Sequence, residues 1–343
     1  MKIVYSDKHA QHDPQTFIVR GVKQRSAEQP ERATRLLQAA TGAGHEVIAP
    51  KTFGSGPAAL VHTPDYIDFL QVAAREWAKL PDASAEVVPN VHPARQPATY
   101  PKALAGRAGW HQADMACPIG LGTWDAALAA TEVATTAADL VLGGVRAAYA
   151  LCRPPGHHAF ADMAGGFCFL NNTAIAAQHL RATHARVAVF DVDVHHGNGT
   201  QGIFYDRADV LTVSIHADPA NYYPYFWGHA HEAGASEGDG FNLNLPLPLG
   251  SADAPWLAAG DKALARITQF APSALVVALG LDASESDPLQ GLKVTAAGFH
   301  AMAGKIAQLG LPTVLIQEGG YLSDDLGHNL VQFLAGFEKG RQK

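Results

Sequence analysis

Alternating acidic and imidazole side chains at residues 191–195, D-x-D-x-H, form a clear candidate for metal binding. Successive side chains of an extended segment point to opposite faces, so Asp193 and His195 can approach one ion together. Asp282 follows a separate apolar segment and offers a third ligand. Three protein ligands with one open position are typical of a catalytic zinc site, and these ligand types also suit Fe²⁺ or Co²⁺.

Two adjacent histidines, His157 and His158, follow a Pro-Pro-Gly turn and are candidates for proton transfer beside the metal. Hydrolysis needs a base for the attacking water and an acid for the leaving amine. Each imidazole also needs a partner that fixes its tautomer, and Asp191 and Asn198 are suitably placed. Because a carboxylate raises the basicity of an imidazole more than an amide does, we expect the two histidines to differ.

Tyr321 follows Gly319 and Gly320 at the end of another apolar segment. A phenol can donate a hydrogen bond to the oxyanion that develops during amide hydrolysis. The glycine pair would let the ring move towards a substrate. The alternative for Tyr321 alone is a core tyrosine at the end of a strand.

Short apolar segments rich in β-branched residues alternate with alanine-rich helical segments. Several of the apolar segments lack polar alternation, which is typical of strands covered on both faces. We therefore predict an α/β fold in one domain over residues 1–343, with a parallel sheet flanked by helices. The predicted strands are Lys2–Tyr5, Glu46–Ala49, Ala147–Leu151, Arg186–Phe190, Val210–Ile215, Ala274–Leu279 and Thr313–Ile316. The predicted helices include Glu31–Ala40, Thr123–Leu142, Asn172–Thr183, Trp256–Phe270 and Thr295–Leu309.

The polar motifs all follow predicted strands. In open α/β sheets, ligands bind beyond the carboxyl ends of the strands, so we expect these motifs to converge on one site. Two long segments, 81–107 and 217–241, have little periodicity. Irregular segments of this length in a compact domain usually have a function.

Composition and charge argue against several other classes of protein. The chain is 48% hydrophobic and 17% charged, as is ordinary for a globular protein. Its net charge of −7 argues against nucleic-acid binding and permits a cationic substrate. Three cysteines, Cys117, Cys152 and Cys168, lack a C-x-x-C pair, which predicts a reducing compartment. We find no signal peptide or membrane-spanning segment and expect a cytoplasmic protein.

Six motifs in order resemble those of the histone deacetylase superfamily. They are R-P-P-G-H-H at 153–158, G-G-F-C-F-L-N-N at 165–172, D-V-D-V-H-H-G-N-G-T at 191–200, V-S-I-H at 213–216, G-L-D-A-S-E-S-D-P-L at 280–289 and E-G-G-Y at 318–321. Within the superfamily, the chain is most similar to the bacterial acetylpolyamine amidohydrolases. The segments that carry this closer similarity are 17–35, 81–107 and I-G-L-G-T-W at 119–124.

The resemblance implies an arginase/deacetylase fold with an eight-stranded parallel sheet. It implies an enzyme, a zinc-dependent deacetylase that hydrolyses linear amides and holds one catalytic zinc ion. The implied zinc ligands are Asp193, His195 and Asp282. The implied catalytic residues are His157 with its partner Asp191, His158 with its partner Asn198, and Tyr321, which polarises the amide carbonyl.

A structural potassium ion beside the zinc is also implied. Its ligands would be the Asp191 side chain and the carbonyls of Asp193 and His195, with Ser214 and Ile215 completing the site. A more distant potassium site would use the carbonyls of Phe204, Arg207, Val210 and Phe241.

The closer resemblance implies small, cationic, acetylated polyamines as substrates. Gly166, Phe167 and Tyr223 match the walls of the substrate tunnel, and Leu289 matches its rim. Ala116 stands where many family members carry an acid that orients the substrate, and we expect Asp114 to take that role. The insertion at 81–107 resembles the loop through which these enzymes form homodimers that narrow the entrance.

Three alternatives predict different observations. A binuclear, arginase-like hydrolase needs additional aspartates, but Gly197 and Ser284 occupy their positions. A histone-deacetylase-like enzyme acting on acetyl-lysine in proteins or peptides would have an open entrance instead of an occluded dimer. A non-catalytic binding protein would lack a zinc ligand or the equivalent of Tyr321, and all of these residues are present.

Overall fold

The computed structural model describes residues 1–93 and 98–342 and is built around an eight-stranded parallel sheet. Numbered along the chain, the strands are β1 (Lys2–Val4), β2 (Phe17–Val19), β3 (Val22–Gln24), β4 (Glu46–Ile48), β5 (Ala147–Ala150), β6 (Val187–Asp191), β7 (Val210–Ala217), β8 (Asn242–Leu247), β9 (Ala274–Leu279) and β10 (Thr313–Gln317). The sheet has the order β4-β1-β5-β10-β9-β6-β7-β8, and every pair in it is parallel. Strands β2 and β3 form a separate antiparallel hairpin.

Helices connect the strands and cover the sheet. They are α1 (Glu31–Gly42), α2 (Gly56–Ala59), α3 (Pro64–Trp77), α4 (Leu104–His111), α5 (Thr123–Leu142), α6 (Asn172–Arg181), α7 (Asn198–Phe204), α8 (Asp253–Phe270), α9 (Ala296–Ala307) and α10 (Leu326–Gly340). The predicted α/β fold is therefore confirmed.

The predicted strands are all present, and β9 and α5 have the predicted bounds. Within the eight-stranded sheet, the described strand absent from the prediction is β8, which pairs with β7 at the edge; the hairpin strands β2 and β3 were not predicted either. Its buried positions include Asn242 and Asn244, whereas Leu243 and Leu245 are only partly buried. The amide side chains of Asn242 and Asn244 donate to Gln201 Oε1 in a buried polar network, whereas Leu243 and Leu245 pack against the apolar core.

Neighbouring residues of the central strands pack against opposite helical layers. Phe190 and Val277 belong to the core formed with α1, α8, α9 and α10. Val189 and Val276 belong to the core formed with α5 and α6. Strands β5, β6, β9 and β10 are buried along their whole length, which explains their continuous apolar sequence.

A third apolar cluster supports the segment 164–170. Tyr66 and Phe69 of α3 pack with Ala108 of α4 and with Phe169. The buried Tyr66 hydroxyl donates to the Phe169 carbonyl at 2.6 Å. This cluster fixes the backbone on either side of Phe167, a residue expected to contact the substrate.

The two irregular segments are partly ordered by specific contacts. Segment 81–107 contains an isolated bridge from Val87 to Ile119 and the start of α4, and its residues 94–97 lie outside the described residues. Segment 217–241 is anchored by Glu232, whose carboxylate accepts hydrogen bonds from Gln201 Nε2 and Gly228 N.

Four neighbouring strands deliver the predicted motifs to one edge of the sheet. Strands β5, β10, β9 and β6 are adjacent, and their carboxyl ends lead into the tandem histidines, E-G-G-Y, Asp282 and D-x-D-x-H. In the ranges described, no helix has the length and apolar character needed to cross a membrane.

Candidate active site

Asp193, His195 and Asp282 meet at this edge, buried, with ligand atoms within 4.8 Å of one another. His195 Nδ1 lies 3.1 Å from Asp193 Oδ1 and 3.2 Å from Asp282 Oδ2. Ligands about 2.0–2.1 Å from a tetrahedral zinc ion are roughly 3.3 Å apart, so these separations fit a single ion. The structure thus brings the three predicted metal ligands to one point.

The charge at this point also fits a cation. Among the described residues, the ion-pair partners of Asp193 and Asp282 are histidines, not Lys or Arg. Burial and the neighbouring Asp193 raise the pKa of Asp282. Burial lowers the pKa of His195, but its hydrogen bonds to Asp193 and Asp282 outweigh this and raise the pKa to about 9. A divalent ion would replace the shared protons and neutralise the carboxylates.

Backbone amides orient both carboxylates. Gly319 N donates to Asp193 Oδ2 at 2.8 Å, and Val194 N donates to Asp282 Oδ1 at 3.0 Å. A Cβ at Gly319 would overlap the Asp282 carboxylate. The expected role of this glycine was to let the Tyr321 ring move, whereas the structure shows that close packing against the metal ligands requires it.

His157 and His158 lie beside the metal ligands with ring centroids 4.1 Å apart. His157 Nδ1 is 2.9 Å from Asp191 Oδ2, and His158 Nδ1 is 2.7 Å from Asn198 Oδ1. These are the pairings that the resemblance implies. Because both partners are oxygen acceptors, each Nδ1 is assigned the donated proton.

The two imidazoles have opposite pKa shifts. Burial lowers the pKa of His157, but Asp193 and Asp191 outweigh this effect and raise the pKa to about 10. Burial, together with the charges on His157 and His195, lowers the pKa of His158 well below its usual value. These shifts favour the protonated form of His157 and the neutral form of His158, whose Nε2 can then accept a hydrogen bond.

Tyr321 is 3% exposed and lies beside the metal ligands. Its backbone N donates to Asp287 Oδ2 at 2.8 Å, and the Arg32 guanidinium carbon is 4.7 Å from its ring centroid. Burial raises the pKa of the Tyr321 hydroxyl well above its usual value. The phenol thus keeps its proton and can donate a hydrogen bond.

A cavity of about 700 Å³ opens onto these groups, with His158, His195 and Tyr321 in its lining. All the predicted substrate-binding residues line it as well: Asp114, Gly166, Phe167, Tyr223 and Leu289. The arrangement can hold an elongated, largely apolar group against the metal ligands and the proton-transfer pair.

Two adjacent tyrosines form much of the wall. The Tyr223 ring meets His158 edge-on at 5.0 Å, as expected of a tunnel residue. Tyr222, absent from the prediction, stacks on His195 at 5.1 Å and donates through its hydroxyl to the Leu289 carbonyl at 2.9 Å. Tyr222 could have been predicted to line the cavity because it is adjacent to Tyr223 in the loop that follows β7.

Asp114 reaches the cavity, but its oxygens are occupied. One oxygen accepts from the Tyr223 hydroxyl at 2.6 Å and from Gly166 N at 3.1 Å. The other accepts from Ala116 N at 2.8 Å. In this arrangement Asp114 holds the two walls together, in addition to any contact with a substrate.

The hairpin of β2 and β3 forms a further part of the rim that sequence reasoning did not assign. Its turn residues, Arg20 and Gly21, have φ values of 51° and 78°, the left-handed region used in tight hairpin turns. Arg20 and Gln24 line the cavity together with His92 of segment 81–107. Among the described residues, and apart from histidines, the charged side chains that line the cavity are Asp114 and Arg20.

Comparison with known proteins agrees with this geometry. The family model for the histone deacetylase domain matches residues 25–337. The chain belongs to the histone deacetylase family. Family membership implies a catalytic metal, generally zinc, and the donor set described above fits such an ion.

Relatives and solved structures resemble the chain over nearly its whole length. It is 49% identical to the acetylpolyamine amidohydrolase of Burkholderia pseudomallei, covering 95% of each chain. It is 46% identical to acetylpolyamine amidohydrolase 1 of Pseudomonas aeruginosa, covering 98% of this chain and 99% of the relative. The crystal structure of acetylpolyamine aminohydrolase from Burkholderia pseudomallei superimposes with a TM-score of 0.96 at 47% identity, covering 98% of each chain. The predicted family and fold are thus confirmed.

The residues expected to bind potassium lie next to the metal ligands. Asp191 and Ser214 are paired across β6 and β7. Asp191 Oδ1 accepts from Asp193 N at 3.1 Å, and Ser214 Oγ is 2.8 Å from His216 Nδ1. At the more distant set, the Phe204 carbonyl accepts from Arg207 N at 3.0 Å. Potassium binding stays a prediction at both places.

Proposed function

We propose that this chain is a zinc-dependent amidohydrolase that removes acetyl groups from acetylated polyamines, releasing acetate and the free amine. The observation that carries the proposal is the convergence of Asp193, His195 and Asp282 with the tandem histidines and Tyr321 at one cavity. The names of the most similar relatives support polyamines as the substrate class.

The mechanism assigns each step to residues around the cavity. A bound zinc ion would supply a Lewis acid that polarises a carbonyl oxygen and increases the acidity of water. Tyr321 donates a hydrogen bond to the acetyl carbonyl oxygen as negative charge develops there. His158 Nε2 accepts a proton from the water whose oxygen bonds to the acetyl carbon. When the C–N bond breaks, His158 returns this proton to the amine.

His157 supports these steps from behind His158. The two rings are 4.1 Å apart, and His157 is held by Asp191, whereas His158 lines the cavity. A proton held on His157 keeps His158 neutral before the reaction, since two adjacent buried imidazoles resist carrying positive charge together. Asn198 Oδ1 accepts a hydrogen bond from the protonated Nδ1 of His158, and this contact directs Nε2 towards the substrate.

We propose one catalytic ion and not two. A Cβ at Gly197 would overlap Asp191, and Ser284 Oγ is bonded to Asn329 Nδ2 at 3.0 Å, so neither position supplies a carboxylate. Elemental analysis should find one zinc per chain. Two ions about 3.5–4 Å apart, as in binuclear hydrolases, would contradict this.

We propose that segment 81–107 mediates a homodimer that narrows the entrance. Val91 and Tyr100, at 53% and 37% exposure, present apolar surface on this segment, and His92 lines the cavity. Light scattering should give the mass of a dimer at micromolar concentration. A monomer would contradict the dimer and would favour larger substrates.

Acetyl-lysine in proteins or peptides is the alternative substrate. The cavity favours it in one respect, because Arg20 adds positive charge at the rim and Asp114 already accepts three hydrogen bonds from protein groups. Among the described residues that line the cavity, Asp114 is the one carboxylate that could attract a cationic polyamine.

The deciding experiment compares acetylputrescine, acetylspermine and an acetyl-lysine peptide with the zinc-loaded protein. We expect a higher kcat/KM for the polyamines. A higher kcat/KM for the peptide would keep the deacetylase chemistry and reject the polyamine assignment. Hydrolysis of none of the three would reject the proposed function.

A further inference from the structure

Glu318 is a fully buried carboxylate that the mechanism above does not use. It follows β10 and has 0% exposure. Its carboxylate forms no salt bridge with another described residue, although a ring nitrogen of His157 lies within 4.8 Å of it. Burial raises the pKa of Glu318 to about 7, although the charge of nearby His157 opposes this rise. Burying a carboxylate without a salt bridge costs free energy, so the hydrogen bonds that hold Glu318 in place need a structural explanation.

Its carboxylate holds the backbone immediately before the tandem histidines. Glu318 Oε2 accepts from Gly156 N at 2.6 Å and from His157 N at 3.0 Å. One oxygen that accepts from two successive amides fixes the peptide plane between these residues. It therefore fixes the direction in which the His157 side chain leaves the backbone.

The other carboxylate oxygen is tied to helix α6. Glu318 Oε1 accepts from Thr173 Oγ at 2.6 Å, in the first turn of that helix. Asn171 caps the same helix by accepting from Ala174 N at 2.8 Å, so the position of Thr173 is well defined. Positive charge at a helix N-terminus further favours the carboxylate.

The backbone of Glu318 is held on the side of Tyr321. Glu318 N donates to the Leu279 carbonyl of β9 at 2.9 Å. Arg32 Nη2 donates to the Glu318 carbonyl at 2.7 Å, and the same guanidinium lies over the Tyr321 ring. Glu318 thus connects the loop that carries Tyr321 with the turn that carries the tandem histidines.

We propose that Glu318 is a positioning residue whose carboxylate fixes His157 and His158 relative to Tyr321 and the metal ligands. The inference rests on the proposed deacetylase function. In this role the side chain must place a hydrogen-bond acceptor at the correct distance from Gly156 N and His157 N, and the acceptor need not be negatively charged.

Three substitutions of Glu318 separate the effect of the acceptor's position from the effect of its negative charge. The quantity measured is kcat of the zinc-loaded protein. Glu318→Gln keeps an oxygen at the same reach, so we expect kcat within about threefold of the wild type. Glu318→Asp keeps the charge but withdraws it by about 1.5 Å, and Glu318→Ala removes the acceptor. Because displacement by 1 Å can lower a rate by about 100-fold, both should lower kcat by roughly 10- to 100-fold with KM nearly unchanged.

Thr173→Val tests the same contact from the other side. We expect a loss of kcat of about two- to fivefold in the wild-type background and no additional loss in Glu318→Ala, since coupled residues are not additive. Thr135→Val is the matched control, because it removes another buried hydroxyl, one bonded to the Thr131 carbonyl in α5. The control should leave kcat unchanged.

A readout independent of turnover is the downfield proton resonance of His157 Nδ1 hydrogen-bonded to Asp191. It should be sharp in the wild type and in Glu318→Gln, and broadened or lost in Glu318→Ala. Wild-type kcat and an unchanged resonance in Glu318→Ala would overturn the inference, as would a Glu318→Asp variant more active than Glu318→Gln. A wild type inactive on every acetylated amine, with the resonance responding as expected, would reject the proposed function alone.

Discussion

At the scale of single residues, the proposed chemistry depends on neighbouring buried side chains that have different pKa values. His157 and His158 are adjacent and buried, yet Asp191 favours the charged form of one, whereas Asn198 is a neutral partner for the other. Tyr321 keeps its proton because burial raises its pKa. These environments favour the protonation state that the proposed role of each group requires.

Removing the Tyr321 hydroxyl should separate oxyanion stabilisation from metal binding. We expect Tyr321→Phe to lower kcat by about 100- to 1000-fold, the usual cost of losing one oxyanion donor. The zinc content should stay at the wild-type value, because Tyr321 is not among the grouped metal ligands. Turnover and elemental analysis of the same preparation test this. Wild-type turnover in the variant would reject the role of the hydroxyl.

The site residues were predicted because each lies in a recognisable motif at the end of a predicted strand, and distant pairings such as His157 with Asp191 were implied by the family resemblance. Asp193 and His195 are two positions apart, so one extended segment brings them together. The role of Glu318 was not predictable in the same way, although it belongs to the E-G-G-Y motif. Its partners Gly156 and Thr173 are 162 and 145 residues away, and only the adjacency of strands brings them within reach.

At the scale of secondary structure, the central strands and the rim differ in how well the sequence predicts them. The buried strands β6, β9 and β10 have continuous apolar sequences that specify them. The hairpin of β2 and β3 is short, with β2 half-buried and β3 exposed, so its sequence has no clear pattern. The Arg20-Gly21 turn was the one feature of the sequence that indicated a hairpin. The position of the hairpin beside the cavity depends on the tertiary structure.

Arg20 should reduce the affinity for substrates that carry a distal ammonium group. Two unit charges about 10 Å apart in water interact by about 0.4 kcal/mol, so reversing the charge in Arg20→Glu should lower KM for acetylspermine by roughly three- to fivefold. The effect should shrink as salt is added. Steady-state kinetics at low and high salt measure it.

Lys23→Glu supplies the matched control for Arg20→Glu. It makes the same charge change on the same hairpin, but Lys23 does not line the cavity. The KM for an uncharged substrate, N-butylacetamide, should be unchanged in both variants. Equal effects of both variants on acetylspermine would show that net charge, and not the position of Arg20, controls affinity.

At the scale of the whole molecule, the metal site joins parts of the fold that are distant in sequence. Asp193 and His195 follow β6, whereas Asp282 follows β9, and both carboxylates are fully buried. Without a metal ion, protons on His157 and His195 must compensate these buried charges. The metal is therefore expected to stabilise the domain as well as to take part in the reaction.

Removal of the metal should consequently lower the melting temperature. A ligand at 1,000 times its Kd stabilises the folded state by about 4 kcal/mol, which corresponds to a shift of roughly 5–10 °C in a protein of this size. Calorimetry of chelator-treated and zinc-restored protein measures the shift. Asp193→Asn should show little response to either treatment, and identical melting of both wild-type samples would contradict the prediction.

The division between a buried sheet edge and an exposed rim also has a consequence for hydrogen exchange. Strands β5, β10, β9 and β6 are buried, so their amides can exchange only through large, rare openings of the domain. The hairpin of β2 and β3 is exposed on one strand, so we expect it to open at a much lower free energy. Amides of the hairpin should therefore exchange quickly while those of the four central strands stay protected.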